Sequence, residues 1–299
     1  MSNNRQPVRE RTMRIGVVFP QTEIGTDPMV IRDYAQAAED LGYSHLLVYD
    51  HVLGASTANR PDWRGPYTSD TQFHEPFVLF GYLAGMTERI ELVTGVIILP
   101  QRQTALVAKQ AAEVDILSGG RLRLGVGVGW NPIEYEGLGQ DFGTRGKRIE
   151  EQVHMLRALW TEPVVEFEGQ TEQLRQAGIN PLPVQRPIPI WMGGEADVVL
   201  KRIGRMADGW FPQMRPDEEA RRKIKQIRDY VQEAGRDPDS LGIEARLNLS
   251  EGNSDTWRQE MDAWQDLGAT HLGINTMRMR LGSPQEHIRM LESARASIS

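Results

Sequence analysis

The sequence has no cysteine and few lysines, and these shortages exclude several kinds of chemistry. Without cysteine there is no disulfide, no thiolate metal site and no cysteine nucleophile. That absence suits the reducing cytoplasm, which is the location we expect. The five lysines all fall in predicted helices or beside them. A Schiff-base aldolase needs a desolvated lysine at a strand end, so we do not expect that class of enzyme.

Long apolar runs, basic surface and clustered metal ligands are missing as well. No apolar run approaches the roughly 20 residues of a membrane span, so we expect no membrane partner. The formal net charge of −7 at pH 7 disfavours nucleic acid, whose phosphates bind basic surfaces. The six histidines form no His-x-His pattern on the first predicted strand, which argues against a metallohydrolase and against a bound metal. A small-molecule substrate remains as the expected partner.

Short β-branched runs alternate with segments of helical period along almost the whole chain. Such alternation predicts parallel strands with crossover helices, and eight repeats close most simply into an α/β barrel, the (β/α)8 TIM barrel. The predicted strands are Arg14–Phe19, His45–Tyr49, Ile90–Leu99, Leu122–Val128, Ile188–Met192, Gly209–Pro212, Ile243–Leu249 and His271–Asn275. The predicted helices are Pro28–Leu41, Pro76–Met86, Thr104–Leu117, Arg145–Trp160, Ala196–Met206, Asp217–Ala234, Asp255–Leu267 and Pro284–Ala296.

The chain of 299 residues predicts one barrel domain over residues 13–299, preceded by a flexible polar tail at residues 1–12. Two connections are longer than turns. Residues 51–75 follow a predicted strand, which places them on the active face of a barrel, and we interpret them as a lid. The insertion at about residues 162–187 precedes a strand on the opposite face, so a packing role is favoured there.

Side chains at the carboxyl ends of the strands are the candidates for chemistry. His51 directly follows the second predicted strand and Asp50, and an imidazole can give or take a proton near neutral pH. A structural histidine bonded to a backbone carbonyl is the alternative. Aromatic residues crowd the same face and suit a planar apolar ring. The predicted substrate contacts are Trp63, Phe73, His74 and Trp210.

Glycines at the ends or in the interior of three strands indicate close approach of a ligand, although tight packing explains those of the third and fourth strands equally well. Gly95 interrupts the third strand, and Gly127 and Gly129 end the fourth. Gly193 and Gly194 end the fifth strand and lead into a helix. Unpaired N–H groups at such a helix start can bind a phosphate without a lysine.

Several segments resemble the luciferase-like monooxygenase superfamily, and within it the branch that uses coenzyme F420, a deazaflavin. The similarity runs from about Met13 to Met290 and keeps the order and spacing of the motifs. It implies a TIM barrel of the bacterial-luciferase-like type and a homodimer. The motifs are Val48-Tyr49-Asp50-His51, the segment from Arg89 to Val96, the segment from Ala108 to Arg121, Gly125 to Asn131, Ile190 to Gly194, and Arg205 to Trp210.

The resemblance also implies a cofactor site, for coenzyme F420 or alternatively for FMN. Asp50 and His51 would lie beside the ring, and Gly95-Val96 would hold a non-prolyl cis peptide under it. The remaining implied contacts are Gly127, Val128, Gly129 and Trp130 along the cofactor, and Gly193 and Gly194 at its phosphate. The implied reaction is hydride transfer between F420 and a small organic substrate. His51 would be the proton donor or acceptor, and Asp50 would bias its tautomer or position the cofactor.

One position departs from the pattern of the superfamily. Its sugar-phosphate dehydrogenases have a glutamate where this chain has Trp130, so the proton-transfer pair looks incomplete and glucose-6-phosphate activity is not expected. Two other functions remain open from the sequence. One is an FMN-dependent monooxygenase that uses O₂, and the other is a flavin- or deazaflavin-binding barrel without turnover.

Overall fold

The structure, a computed structural model, describes residues 12–298. The strands are β1 (Arg14–Val18), β2 (His45–Val48), β3 (Glu91–Thr94), β4 (Ile97–Ile98), β5 (Leu122–Gly127), β6 (Val165–Glu168), β7 (Gln173–Ala177), β8 (Ile190–Gly193), β9 (Gly209–Phe211), β10 (Gly242–Asn248) and β11 (His271–Asn275). The helices are α1 (Pro28–Asp40), α2 (Pro76–Ala84), α3 (Thr104–Leu117), α4 (Pro132–Gly137), α5 (Arg145–Thr161), α6 (Asp197–Met206), α7 (Glu218–Glu233), α8 (Ser254–Asp266) and α9 (Pro284–Ile298).

Eight parallel strand positions close into a barrel, as the sequence predicted. The order is β3-β2-β1-β11-β10-β9-β8-β5, and β3 pairs with β5 to close the ring. β4 continues β3 and also pairs with β5. Side chains on the outer face of the strands pack against the surrounding helices in one large apolar core. Among residues 12–298, no helix has the length and apolar character needed to cross a membrane.

Three helices begin at a polar residue followed by proline, a pattern that fixes their start. The side chains of Asp27, Glu75 and Asn131 each accept a hydrogen bond from an N–H group in the first turn. Proline in that turn costs no hydrogen bond, because its N–H would have no partner inside the helix. The cap at Glu75 ends the residue 51–75 connection, and the cap at Asn131 directs α4 across the mouth of the barrel.

The structure differs from the prediction in details that bear on the site. The third strand is divided at a cis peptide between Gly95 and Val96, which the resemblance implied and the structure confirms. α4 was not predicted, since six residues are too few to show a helical period. Part of the insertion at residues 162–187 forms the antiparallel hairpin β6–β7. The tail predicted at residues 1–12 lies, apart from Thr12, outside the described residues.

A buried charged cluster fills the barrel at the amino ends of its strands. Glu244 lies 2.6 Å from the Arg123 guanidinium and 3.0 Å from His45 Nε2. Burial alone would raise the pKa of Glu244, but His45 and Arg123 hold it well below its ordinary value. Burial also lowers the pKa of His271 to about 2, with Arg123 adding to the shift. The charges of these groups offset one another at this end of the barrel, and the open end of the barrel lies at the carboxyl ends of the strands.

Candidate functional site

His51 lies at the carboxyl end of the barrel inside an aromatic enclosure. The ring centroids of Phe73, Tyr67 and Trp130 lie 4.8, 5.0 and 5.6 Å from that of the imidazole. Phe73 and Tyr67 come from the 51–75 connection and Trp130 from the segment after β5. The connection therefore folds over His51, in the place where we predicted a lid. Tyr67 had not been singled out from the sequence.

A buried glutamate fixes the imidazole. His51 Nδ1 lies 3.0 Å from Glu134 Oε2, and Glu134 Oε1 accepts the N–H groups of Val52 at 2.7 Å and Leu53 at 3.2 Å. A carboxylate can only accept, so the proton lies on Nδ1 and Nε2 is left for a ligand. Trp130 supplies no carboxylate at its own position, but Glu134, in the first turn of α4, places one against His51.

Asp50 serves a different partner from the one expected. Its Oδ1 accepts from Arg102 at 2.8 Å and its Oδ2 from the N–H of Ile98 at 3.0 Å. Arg102 also pairs with Glu75 at 3.0 Å. Burial alone would lower the pKa of Arg102, but the two carboxylates raise it above its ordinary value. Asp50 therefore ties β2 to β4 and to the start of α2. The alternative that Asp50 biases the His51 tautomer is wrong, whereas the alternative that it positions the cofactor stays a prediction.

A cavity of about 170 Å³ opens beside His51. It is lined by the backbone after β2, by lid residues including Tyr67, Phe73 and Thr71, and by Asn131. The side-chain N–H of Asn131 donates to the Leu53 carbonyl at 3.3 Å, which joins the two sides of the cavity. The site thus combines one imidazole, aromatic walls and a few polar groups, as small-molecule sites commonly do.

Part of the barrel interior below this mouth is apolar. Leu47, Phe211 and Met277 belong to a buried cluster at the carboxyl end, and Tyr49 and Val96 pack onto it while partly exposed. The backbone approaches closely here, because a Cβ at Gly127 would lie 2.6 Å from Val96 Cγ2. Packing therefore accounts for Gly127. Contact of the cofactor with Gly95, Val96, Gly127, Val128, Gly129 and Trp130 stays a prediction.

The predicted phosphate site retains the geometry that suggested it. β8 ends at Gly193, Gly194 has a φ of +119°, and α6 starts at Asp197 without a side-chain cap. A Cβ added at Gly193 would meet only Val96 Cγ1, at 3.6 Å. Glu195 does not point its carboxylate at this turn in competition with an anion, since Oε1 accepts the N–H of Gln213 at 3.0 Å.

The predicted substrate contacts do not all lie together. Phe73 touches His51. The ring centroid of Trp63 lies 5.7 Å from that of Trp130 in a tilted arrangement, and the Trp130 ring is next to His51. Trp210 is fully buried, and its Nε1 donates to the Gly194 carbonyl at 2.9 Å. It supports the glycine turn from beneath, so its assignment to substrate is wrong.

His74 also lies apart from the site. Its Nε2 is 3.1 Å from the Gly25 carbonyl and 3.1 Å from the Gln72 amide, and its ring packs edge-on against Phe19. These contacts anchor the end of the lid to the loop after β1. Within residues 12–298, no cluster of three or more histidine and acidic side chains could hold a metal ion.

Comparison with known proteins agrees with this geometry. A family model described as luciferase-like monooxygenase matches residues 13–294. An uncharacterized protein of Mycobacterium tuberculosis is 37% identical over 226 residues, which are 73% of this chain and 77% of that protein. An F420-dependent glucose-6-phosphate dehydrogenase of Amycolatopsis mediterranei is 31% identical over 205 residues, 67% of this chain and 57% of that enzyme.

Solved structures share the fold. An F420-dependent secondary alcohol dehydrogenase, solved with an F420–acetone adduct, superposes with a TM-score of 0.78 at 16% identity. The superposition covers 96% of this chain and 99% of that one. At this identity the likeness establishes the barrel and nothing about the ligand.

Proposed function

The chain belongs to the luciferase-like monooxygenase family, and on that premise we propose that it transfers hydride between coenzyme F420 and a small organic substrate. The observation that carries the proposal is the buried His51–Glu134 pair, at 3.0 Å, beside a cavity at the mouth of the barrel. A flavin-binding barrel without turnover would have no need of an oriented imidazole there. The F420-dependent relative supports the choice of cofactor.

The residues present fit a deazaflavin with a phosphate-bearing side chain. The partly exposed Val96 and Tyr49 provide apolar surface for a planar ring at the barrel mouth. Gly193 leaves backbone space at the uncapped start of α6, where N–H groups and the helix dipole favour an anion. A Cβ at Gly193 would occupy that space without disturbing the protein itself. Gly194, with its positive φ, continues the same turn.

When bound, F420 supplies or accepts a hydride. The protein's own contribution is to orient the substrate and to manage the proton. Nε2 of His51 would give a proton to the substrate oxygen in the direction in which the substrate carbon gains hydride, and would take one from it in the direction in which that carbon loses hydride. Glu134 holds Nδ1 and stabilises the imidazolium when both nitrogens carry protons. Tyr67 and Phe73 cover the imidazole and keep bulk water from the reacting atoms.

Titration with purified F420 and with FMN, followed by ligand fluorescence, tests the choice of cofactor. We expect F420 to bind at micromolar levels and at least tenfold more tightly than FMN, a difference of about 1.4 kcal/mol. Tighter binding of FMN would instead support an O₂-using monooxygenase. Failure of both ligands to bind would refute the proposal.

A glycine variant tests where the phosphate lies. Gly193→Ala should weaken F420 binding tenfold or more and leave the melting temperature unchanged, because its Cβ has room in the protein alone. Gly81→Ala, in α2, is the matched control, since nothing lies within 4 Å of its Cβ. Normal F420 binding by Gly193→Ala would place the phosphate elsewhere.

A further inference from the structure

Arg246 projects into the open end of the barrel, where no carboxylate of residues 12–298 pairs with it. On β10 the buried apolar residues Ile243, Ala245 and Leu247 join the core between strands and helices. The alternate residues Glu244, Arg246 and Asn248 therefore face the barrel axis, because successive side chains of a strand point to opposite sides. Arg246 is nearer to the carboxyl ends of the strands than the charged cluster around Glu244, which fills the barrel at the amino ends of the strands.

The charge of Arg246 is not satisfied by its neighbours. Its guanidinium lies 4.9 Å from the centroid of the Tyr49 ring. No acidic side chain of residues 12–298 forms an ion pair with it. Glu244, on the same face of the strand, is committed to Arg123 at 2.6 Å and to His45 at 3.0 Å. A half-buried cation with only an aromatic face as partner would gain from an anion.

Space for such an anion adjoins Arg246. A cavity of about 200 Å³ is lined by Arg246, Tyr49, Tyr67, Asn248 and Arg278 among others. A second cavity, of about 300 Å³, also reaches Arg246 and Asn248. Glu251 lines both cavities, and the 300 Å³ cavity is lined by a second acidic residue, Glu260.

The polar groups of the 200 Å³ cavity favour an anion over a cation. Glu251 is paired with Arg215 at 2.9 Å, so its charge is offset. Asn248 accepts from the Asn275 amide at 3.0 Å, which leaves its own N–H₂ group free to donate. Arg278 adds a second positive charge at the exposed rim. The lining thus offers a guanidinium fork and an amide donor beside aromatic rings.

Tyr67 connects this cavity to the catalytic imidazole. It lines the 200 Å³ cavity on one side and the cavity of His51 on the other, and its ring centroid is 5.0 Å from that of His51. A molecule held by its acid group at Arg246 would extend along Tyr67 toward His51. We propose that the substrate carries a carboxylate, which the guanidinium of Arg246 and the amide of Asn248 bind. This inference rests on the proposed function, because it assigns the substrate class of the same site.

Isothermal titration calorimetry of the full chain with benzoate and with benzamide tests the inference. The two probes share shape and aromatic ring and differ in charge. Wild type should bind benzoate at least tenfold more tightly than benzamide, and Arg246→Gln should reduce that preference to less than threefold. Arg222→Gln is the control: it removes a positive charge from an exposed position on α7, outside the residues that line the cavity, and should keep the preference. Equal binding of both probes by wild type would overturn the inference.

Two further measurements separate the alternatives. Arg246→Lys keeps the charge but loses the fork, so it should retain a reduced preference for benzoate even if Arg246→Gln folds poorly. F420 affinity of Arg246→Gln should stay within threefold of wild type; a tenfold loss would show that Arg246 serves the cofactor, and the inference would fall. If wild type prefers benzoate but binds no F420, the carboxylate site stands and the proposed function fails.

Discussion

Replacing Glu134 by glutamine should reverse the tautomer of His51. In the wild type the glutamate accepts three N–H groups, from His51 Nδ1, Val52 and Leu53. Glutamine has one acceptor oxygen, which can keep the two backbone bonds. Its N–H₂ group then faces Nδ1, which must accept, so the ring proton moves to Nε2. The side-chain size is unchanged, so the enclosure should remain intact.

The size of the effect follows from the hydrogen bond that is lost. A hydrogen bond to a charged group contributes about 1.5–3 kcal/mol. Since about 1.4 kcal/mol corresponds to a factor of ten, this bond raises the ratio of the Nδ1–H to the Nε2–H tautomer by about 10- to 100-fold. The same interaction stabilises the imidazolium that forms when both nitrogens are protonated. Turnover with F420 should therefore fall by about 10²-fold in Glu134→Gln, while F420 affinity stays within a few fold.

Two assays check these expectations. The ¹⁵N chemical shifts of labelled histidine report the tautomer directly and require no substrate. Once a substrate is identified, turnover should fall by about 10² or more in His51→Asn. The double variant that combines His51→Asn with Glu134→Gln should lose no more turnover than His51→Asn alone, because Glu134 acts through the imidazole. Glu136→Gln, on the exposed side of α4, is the control and should match wild type. An unchanged tautomer in Glu134→Gln would refute the reasoning.

Stability and assembly provide two more predictions. Burial lowers the pKa of His271 from its ordinary value to about 2, so below about pH 6.5 the unfolded chain binds a proton that the folded chain does not. In urea unfolding, the free energy of unfolding should fall by about 1 kcal/mol on account of His271 when the pH is lowered from 7 to 5.5. This decrease should be absent in His271→Asn and retained in the exposed control His154→Asn. The exposed apolar side chains Val78 on α2 and Leu106 on α3 are expected to lie in a two-fold dimer interface. Light scattering should give twice the chain mass of 33.8 kDa; the monomer mass at every concentration would contradict this.

Local sequence determined the barrel and the place of its active face. Hydrophobic period distinguishes strand from helix within a few residues, and alternation of the two leaves few topologies. The predicted helix starts at Pro28 and Pro76 agree with the structure, where Asp27 and Glu75 cap the first turns of α1 and α2. His51 could be selected because the end of a strand is a local property, and a barrel collects all such ends on one face.

Tertiary structure alone decided which side chains meet at that face. Glu134 is 83 positions from His51, and Arg102 is 52 from Asp50, so these pairs depend on strand register and on how the lid docks. Period and spacing carry no information about such contacts, and for this reason the sequence could suggest Asp50, but not Glu134, as the residue that sets the His51 tautomer. Trp210 and Trp63 looked alike as aromatic residues expected on the active face. The direction of each ring, one into the core and one against Trp130, was set by packing between segments far apart in the chain.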